Sequence, residues 1–235
     1  AMRDLRSIYV EQGDVNSFLR YSESVQGVAP IEMGERDSLS YASAELMYSR
    51  ADYKNALNLF RQYLEEFPQG AYAVNAWYYQ AVIYQNDNDY ENALDCYEKC
   101  ASYENSRFCE ESLNQAASMA FTIGDYKSAL NNYKHLADRT VDINKRRSSY
   151  IGVVKSAMQV ADYNTLLAYV DKAVDLAQTD TERNDLLCHK AKALLLVDRQ
   201  DEALKLYEQL SADPRTAYGA ESDYMVSLIL YNKGE

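Results

Sequence analysis

A polar turn followed by a small or apolar residue recurs along the chain at a nearly constant interval. In most copies an acidic residue and a tyrosine come just before this residue, which we call the anchor. The anchors are Phe18, Ala56, Ala93, Ala129, Leu166 and Ala203, and they step by 38, 37, 36, 37 and 37 residues. Six copies at so regular an interval predict a protein built from stacked repeats.

Apolar positions on both sides of each anchor have helical spacing. The third copy is the clearest and carries, in order, Trp77, Ala81, Tyr84, the anchor Ala93, Tyr97 and Cys100. Within each half these residues are three or four apart, which places them on one face of an α-helix. Each repeat is therefore predicted to be a pair of amphipathic helices, with the anchor in the second helix.

The helix-breaking residues lie where this pattern predicts the ends of helices. Pro30 and Pro68 come twelve residues after their anchors and Pro214 comes eleven after, at the joints between repeats. Gly13, Gly124 and Gly234 lie in the turns between paired helices. With only 3 Pro and 8 Gly in 235 residues, the rest of the chain is predicted to be helical.

The repeat resembles the tetratricopeptide repeat family. The matching residues are Trp77, Ala81, Tyr84, Asp89, Tyr90, Ala93, Tyr97 and the joint prolines. The family's usual period is 34 residues, and repeats of about 36–38 resemble bacterial members that include cell-envelope adaptors. The resemblance implies an all-α fold, a right-handed superhelical solenoid of antiparallel helix pairs. The expected domain is 1–235, with repeats near 1–35, 37–70, 74–107, 110–143, 147–180 and 184–216 and a trailing helix at 217–233.

The last segment of the sequence has the pattern of the first helix of a pair, without the second helix. The repeat register puts the next anchor near position 239, yet this segment is rich in apolar residues, among them Val226, Leu228, Ile229 and Leu230. Solenoid ends need polar caps. We therefore expect that the chain is a piece of a longer protein, or that it self-associates through this uncapped terminal helix.

Composition narrows the choice of partner. A formal charge of −12 disfavours nucleic acid and anionic membrane surfaces. No run of eighteen apolar residues is present, so direct membrane insertion is not expected. The opening "AMRDLRSIYVEQGD" has charges where a signal peptide would be apolar. The resemblance alone favours the periplasmic side of a bacterial envelope over the cytoplasm.

The cysteines and histidines give no clear catalytic or metal-binding pattern. Cys96 and Cys100 share one helix face, but Cys100 stands at a core position of the repeat. Buried structural thiols are the favoured interpretation, and a Cys100–Cys109 disulfide or a metal site are the alternatives. No nucleophile motif or phosphate-binding loop is present. The sequence thus predicts no enzyme activity, cofactor or metal.

The resemblance implies a concave groove lined by the first helix of each pair. The predicted groove residues are Tyr41, Glu45, Tyr48, Asn75, Tyr78, Tyr79, Gln85, Asn114, Gln115, Phe121, Lys155, His189 and Lys192. Tyrosine and amide side chains suit peptide recognition. The expected function is a scaffold or adaptor that binds a peptide or an extended segment of another protein. A regulatory or sensor domain of a larger protein, or a substrate-binding module of an enzyme, is the alternative.

Overall fold

The computed structural model describes residues 2–27, 29–212 and 217–233, and every regular element within them is an α-helix. The helices are α1 Met2–Gln12, α2 Val15–Ser24, α3 Met33–Ser49, α4 Tyr53–Glu66, α5 Ala73–Asn86, α6 Tyr90–Ala101, α7 Cys109–Thr122, α8 Tyr126–Arg139, α9 Ile143–Gln159, α10 Tyr163–Asp175, α11 Asp180–Leu196, α12 Gln200–Leu210 and α13 Ala217–Lys233. The all-α helical repeat fold is confirmed. None of these helices has the length and apolar character needed to cross a membrane. The predicted joint residues Pro214 and Gly234 lie outside the described residues.

The helices group into two compact units, Ala1–Ser112 and Leu113–Glu235, with the boundary inside α7. Helices that are consecutive in the chain pack together within each unit, for example α5 with α6 and α8 with α9. We call the odd-numbered helices A-type and the even-numbered helices B-type, because they correspond to the first and second helix of each predicted pair. The expectation of one continuous solenoid over 1–235 stays a prediction.

All six anchors are buried on B-type helices. Ala56, Ala93, Ala129, Leu166 and Ala203 have no exposed surface, and Phe18 is 3% exposed. A residue as small as alanine lets the two helices of a pair approach closely, and the gap beside it is filled by the side chain four residues later. That side chain is Phe60 in the second repeat and Tyr97 in the third, both essentially inaccessible.

A short turn with a left-handed residue joins the helices of each pair. In the second repeat Ala51 has φ 59°, and the next N–H, that of Asp52, donates to the Met47 carbonyl at 3.0 Å. This six-to-one hydrogen bond closes a Schellman motif. Asp52 then caps α4, accepting from the Asn55 N–H at 3.3 Å. Each of the other five turns also has positive φ at the residue before the cap position: Gly13, Asn88, Gly124, Ala161 and Asp198.

The acidic residue of the repeat pattern is therefore a helix cap. Asp14, Asp89, Asp125 and Asp162 accept from the backbone N–H three residues on, as Asp52 does. Arg199 takes this place in the last copy and provides no side-chain cap. The last copy, which lacks the acidic residue at this place, therefore also lacks the side-chain cap.

A buried carboxylate connects α3, α4 and the segment that leads into α5. The Tyr63 hydroxyl donates to Asp37 Oδ1 at 2.6 Å, and the Ala71 N–H donates to Asp37 Oδ2 at 2.8 Å. The Tyr63 oxygen in turn accepts from the Tyr72 N–H at 3.0 Å. A Cβ on Gly70 would stand 2.4 Å from the Tyr63 hydroxyl, so the network also requires glycine there. These bonds fix the start of α5.

Helix α13 buries one face and exposes another. Gly219, Ser222 and Ile229 are buried. Tyr224 is 65% exposed and Tyr231 is 80% exposed. Self-association through this helix stays a prediction.

Replacing the left-handed alanines by glycine should stabilise the protein. An L-residue with a Cβ is strained at positive φ, and glycine is not. We expect Ala51→Gly and Ala161→Gly each to raise the free energy of unfolding by about 0.5–1 kcal/mol in urea titrations. Ala42→Gly is the matched control, since Ala42 is an exposed interior residue of α3, and it should lower the same quantity by about 1 kcal/mol. A loss of stability at all three positions would contradict the left-handed turn.

Adding a methyl group at Gly152 should destabilise the second unit. A Cβ there would stand 2.6 Å from three ring carbons of Tyr133. We expect Gly152→Ala to lower the free energy of unfolding by about 1–3 kcal/mol, because the packed ring must move. Gly34→Ala in α3 meets nothing within 4 Å and should not lower it. Equal effects of the two substitutions would argue against the ring contact.

Candidate functional site

The predicted groove residues all lie on A-type helices, but their environments differ. In the first unit they occupy α3 and α5, and in the second unit α7, α9 and α11. Three of them, Tyr48, Tyr78 and Tyr79, form a connected aromatic surface, which we call the tyrosine face. The two units are considered separately below.

The expectation that Tyr41 faces the groove is wrong. Its side chain is 3% exposed, and its ring stacks on Tyr72 with centroids 4.5 Å apart and planes 7° apart. Its hydroxyl donates to Glu45 Oε1 at 2.9 Å. Burial, followed by the contact with Glu45, raises the pKa of Tyr41 far above its usual value. Tyr41 is thus a neutral core residue that holds the exposed Glu45 in place.

The tyrosine face is half-buried and rigidly supported. Tyr48 and Tyr79 have ring centroids 4.7 Å apart, and Tyr79 meets Tyr78 at 5.9 Å. Tyr79 stacks on the buried Phe60 at 5.8 Å, and Tyr78 stacks on the half-buried Phe108 at 4.4 Å. Rings locked in this way lose little conformational entropy when a partner binds.

The phenols of Tyr48 and Tyr78 are neutral hydrogen-bonding groups. Burial is the main cause that raises the pKa of Tyr48 and of Tyr78 above its usual value. A neutral phenol can donate and accept, whereas a phenolate can only accept. The face therefore offers flat apolar surface together with hydroxyl tips.

Two predicted amides lie beside the tyrosine face. Gln85 Oε1 accepts from the hydroxyl of the buried Tyr97 at 2.7 Å. Asn75 lies close enough to Tyr41 for a side-chain hydrogen bond that acts on its pKa. Both amides are half-exposed, so one end of each anchors to the core and the rest reaches the surface.

The predicted residues of α7 belong to the second unit. Asn114, Gln115 and Phe121 are half-buried. Phe121 packs its ring against the edge of Tyr126, with centroids 5.1 Å apart and planes 71° apart.

Lys155 and Lys192 of the second unit form ion pairs that sequence reasoning missed, and the predicted groove residue His189 lies beside the carboxylate that pairs with Lys155. Lys155 Nζ lies 3.5 Å from Asp185 Oδ2, and His189 Nε2 lies 3.9 Å from Asp185 Oδ1. Lys192 Nζ lies 2.8 Å from Glu221 Oε1. Asp185 stands eighteen residues before its anchor, as Asn75 does in the third repeat. The repeat register could therefore have identified Asp185 as a residue of the same surface.

His189 is held neutral in this cluster. Its burial lowers its pKa, and Lys155 and Lys192 lower it further, while Asp185 opposes them. A neutral imidazole beside a paired lysine offers hydrogen bonding rather than a fixed charge.

The cysteines are buried and unreactive. Cys96, Cys100, Cys109 and Cys188 are free thiols, and each is buried, as predicted. The thiols of Cys100 and Cys109 donate to the carbonyls of Val74 and Ala101, respectively. Burial raises the pKa of Cys100 to about 11, so its thiol is protonated at neutral pH. The Cys100–Cys109 disulfide alternative is not formed.

Comparison with known proteins agrees with this architecture. Residues 37–70 and residues 74–106 each match a family model described as tetratricopeptide repeat. These two matches identify tetratricopeptide repeats within residues 37–106. It is 31% identical over 101 residues to the TPR repeat-containing protein MJ0263 of Methanocaldococcus jannaschii. This match covers 42% of the present chain and 31% of that protein, so the chain spans about a third of the relative's length.

Two solved structures share the fold of this chain. The crystal structure of YrrB, described as a TPR protein with an unusual peptide-binding site, has a TM-score of 0.53 and 13% identity, covering 79% of this chain and 91% of that one. The structure of Naa15/Naa10 bound to HypK-THB has a TM-score of 0.62 and 12% identity. This match covers 99% of this chain and 34% of that one. At such identities the likeness concerns the fold alone.

Two buried tyrosines at equivalent repeat positions should respond differently to loss of their hydroxyl. Tyr97 donates to Gln85, whereas the Tyr207 hydroxyl has no partner among the described residues, and Leu195 stands where the third repeat has Gln85. Tyr97→Phe should lower the free energy of unfolding by about 1 kcal/mol. Tyr207→Phe should leave it unchanged or raise it, as measured by urea titration. Equal losses in both variants would contradict this assignment.

Proposed function

We propose that the chain is a non-enzymatic scaffold that binds an extended peptide segment of another protein across the tyrosine face of its first unit. The observation that carries the proposal is the connected set of half-buried rings, Tyr48, Tyr78 and Tyr79, which stack on Phe60 and Phe108. Preorganised aromatic surface with hydroxyl tips is the kind of surface that recognises peptides.

Charge supports a neutral or basic segment as the occupant. Residues 1–112 contain nine Lys and Arg against nineteen Asp and Glu, a formal charge of −10. Helix α5, which supplies Tyr78 and Tyr79, has no charged residue. An acidic peptide would meet the negative field of the unit without a cation on α5 to pair with it.

The ion-paired cluster of Lys155, His189 and Lys192 supports a weaker second contact in the other unit. Both lysines are already neutralised by carboxylates, so a partner must displace those pairs. Exposed ion pairs contribute little stability. Replacing them by ion pairs with a charged partner therefore costs little free energy. The envelope setting and the regulatory or substrate-binding alternatives stay sequence-based predictions.

The proposal is tested with peptides selected on the complete chain from a displayed random library. The variant Tyr48→Phe, Tyr78→Phe, Tyr79→Phe keeps the packed rings and removes the hydroxyl tips. We expect the selected peptides to bind it roughly fivefold more weakly for each hydrogen bond that is lost. Fluorescence anisotropy of labelled peptides measures the affinities.

Tyr21→Phe is the control, because Tyr21 is an exposed tyrosine outside this face. It should bind every selected peptide as the parent chain does. The proposal fails if the triple variant also binds them unchanged, or if no selected peptide protects the tyrosine face from hydrogen exchange.

A further inference from the structure

The tyrosine face lies on helices that offer no strand edge to a peptide. Every regular element of the first unit within the described residues is an α-helix, and the face is carried by α3 and α5. The main-chain groups inside these helices bond to one another, so only side chains can pair with the main chain of a bound peptide. A peptide in β conformation, which depends on pairing with a strand edge, therefore fits this face poorly.

The tyrosine face has hydroxyl protons to donate. No hydrogen bond joins the hydroxyl of Tyr48, Tyr78 or Tyr79 to another described residue, and none of the three oxygens is fully buried. Burial of the rings raises the pKa of Tyr48 and of Tyr78, which keeps both phenols protonated. The protons of these hydroxyls are therefore available to acceptors of a partner.

The side-chain acceptors beside the face are partly engaged. Gln85 Oε1 accepts from the Tyr97 hydroxyl at 2.7 Å, and Glu45 Oε1 accepts from the Tyr41 hydroxyl at 2.9 Å. Helix α5 itself has no carboxylate. A segment with many free carbonyls and few N–H groups suits such a surface, and proline is the residue that lacks the main-chain N–H.

The arrangement of the three rings suits a helix of prolines. Tyr78 and Tyr79 meet at 72°, and Tyr48 is tilted by 43° against Tyr79, so the face of one ring lies next to the edge of another. Proline-rich segments form the left-handed polyproline II helix, in which a turn of three residues is about 9 Å long. This length is comparable with the face from Tyr48 through Tyr79 to Tyr78, whose centroid steps are 4.7 and 5.9 Å.

We propose that the segment recognised by the tyrosine face is rich in proline and binds as a polyproline II helix. This inference rests on the function proposed above and adds the chemical class of the partner. The proline rings pack against Tyr48, Tyr78 and Tyr79, and the tyrosine hydroxyls donate to main-chain carbonyls of the segment. A polyproline II helix is ordered before it binds, and it meets rings that are already held in place, so little conformational entropy is lost.

The handedness of the polyproline helix provides the test. The probes are two decapeptides with acetylated and amidated ends, one of L-proline and one of D-proline, which have the same composition and form helices of opposite hand. We expect the L-proline decapeptide to bind the complete chain at least about tenfold more tightly than the D-proline one, because only one hand matches the rings and hydroxyls. Titrations followed by ¹⁵N chemical shifts measure both affinities and locate the contact on α3 and α5.

The variant Tyr48→Phe, Tyr78→Phe, Tyr79→Phe separates the hydroxyls from the rings. It should bind the L-proline decapeptide roughly fivefold more weakly for each hydrogen bond that is lost. Tyr21→Phe is again the control and should bind the decapeptide as the parent chain does, because Tyr21 is exposed outside this face.

The proposal is overturned if the D-proline decapeptide binds as tightly as the L-proline one, or if neither binds up to about 1 mM. Unchanged binding of the L-proline decapeptide to the triple variant would overturn it as well. Library peptides that protect the tyrosine face but contain no proline would refute the proline-rich class and leave the peptide-binding function intact. Failure of this inference is therefore distinguishable from failure of the proposed function.

Discussion

The turn inside each helix pair is the constraint on which the rest of the architecture depends. A left-handed residue ends the A-type helix, and an aspartate one residue later caps the B-type helix. The two helices therefore meet antiparallel at a defined offset, which brings a small anchor against the preceding helix. Because the anchors are fully buried, a shift of this offset would place larger side chains at the point of closest approach.

This pairing gives α5 two different surfaces. Tyr78 and Tyr79 lie on one side, supported by Phe60 and Phe108. Trp77 and Gln80 lie on another side and line a recess together with residues of α4 and α6. The start of the helix is fixed by the hydrogen bonds of Asp37, so both surfaces are held by the same buried network.

The hydroxyl of the packing tyrosine has a hydrogen-bond partner in one repeat and none among the described residues in another. Tyr97 has Gln85 as its acceptor, whereas Tyr207 faces a leucine at the equivalent position and has no partner among the described residues. The turns differ in a similar way: an aspartate caps the B-type helix in the other copies, whereas Arg199 provides no side-chain cap in the last one. The third repeat thus combines a satisfied packing tyrosine with a capped turn, and it supplies two of the three rings of the tyrosine face.

The amino-acid sequence by itself determined the helical repeat, its period and the burial of every anchor, because these depend on local spacing and on residue size. It also located the tyrosines on A-type helices. Only the tertiary structure decided which of them reach the surface. Tyr41 and Tyr48 share one helix, yet Tyr41 is covered by the ring of Tyr72, which belongs to the segment before the next helix. The carboxylate partners of Lys155 and Lys192 likewise come from other helices, thirty and twenty-nine residues away, and contacts of that kind are set by packing.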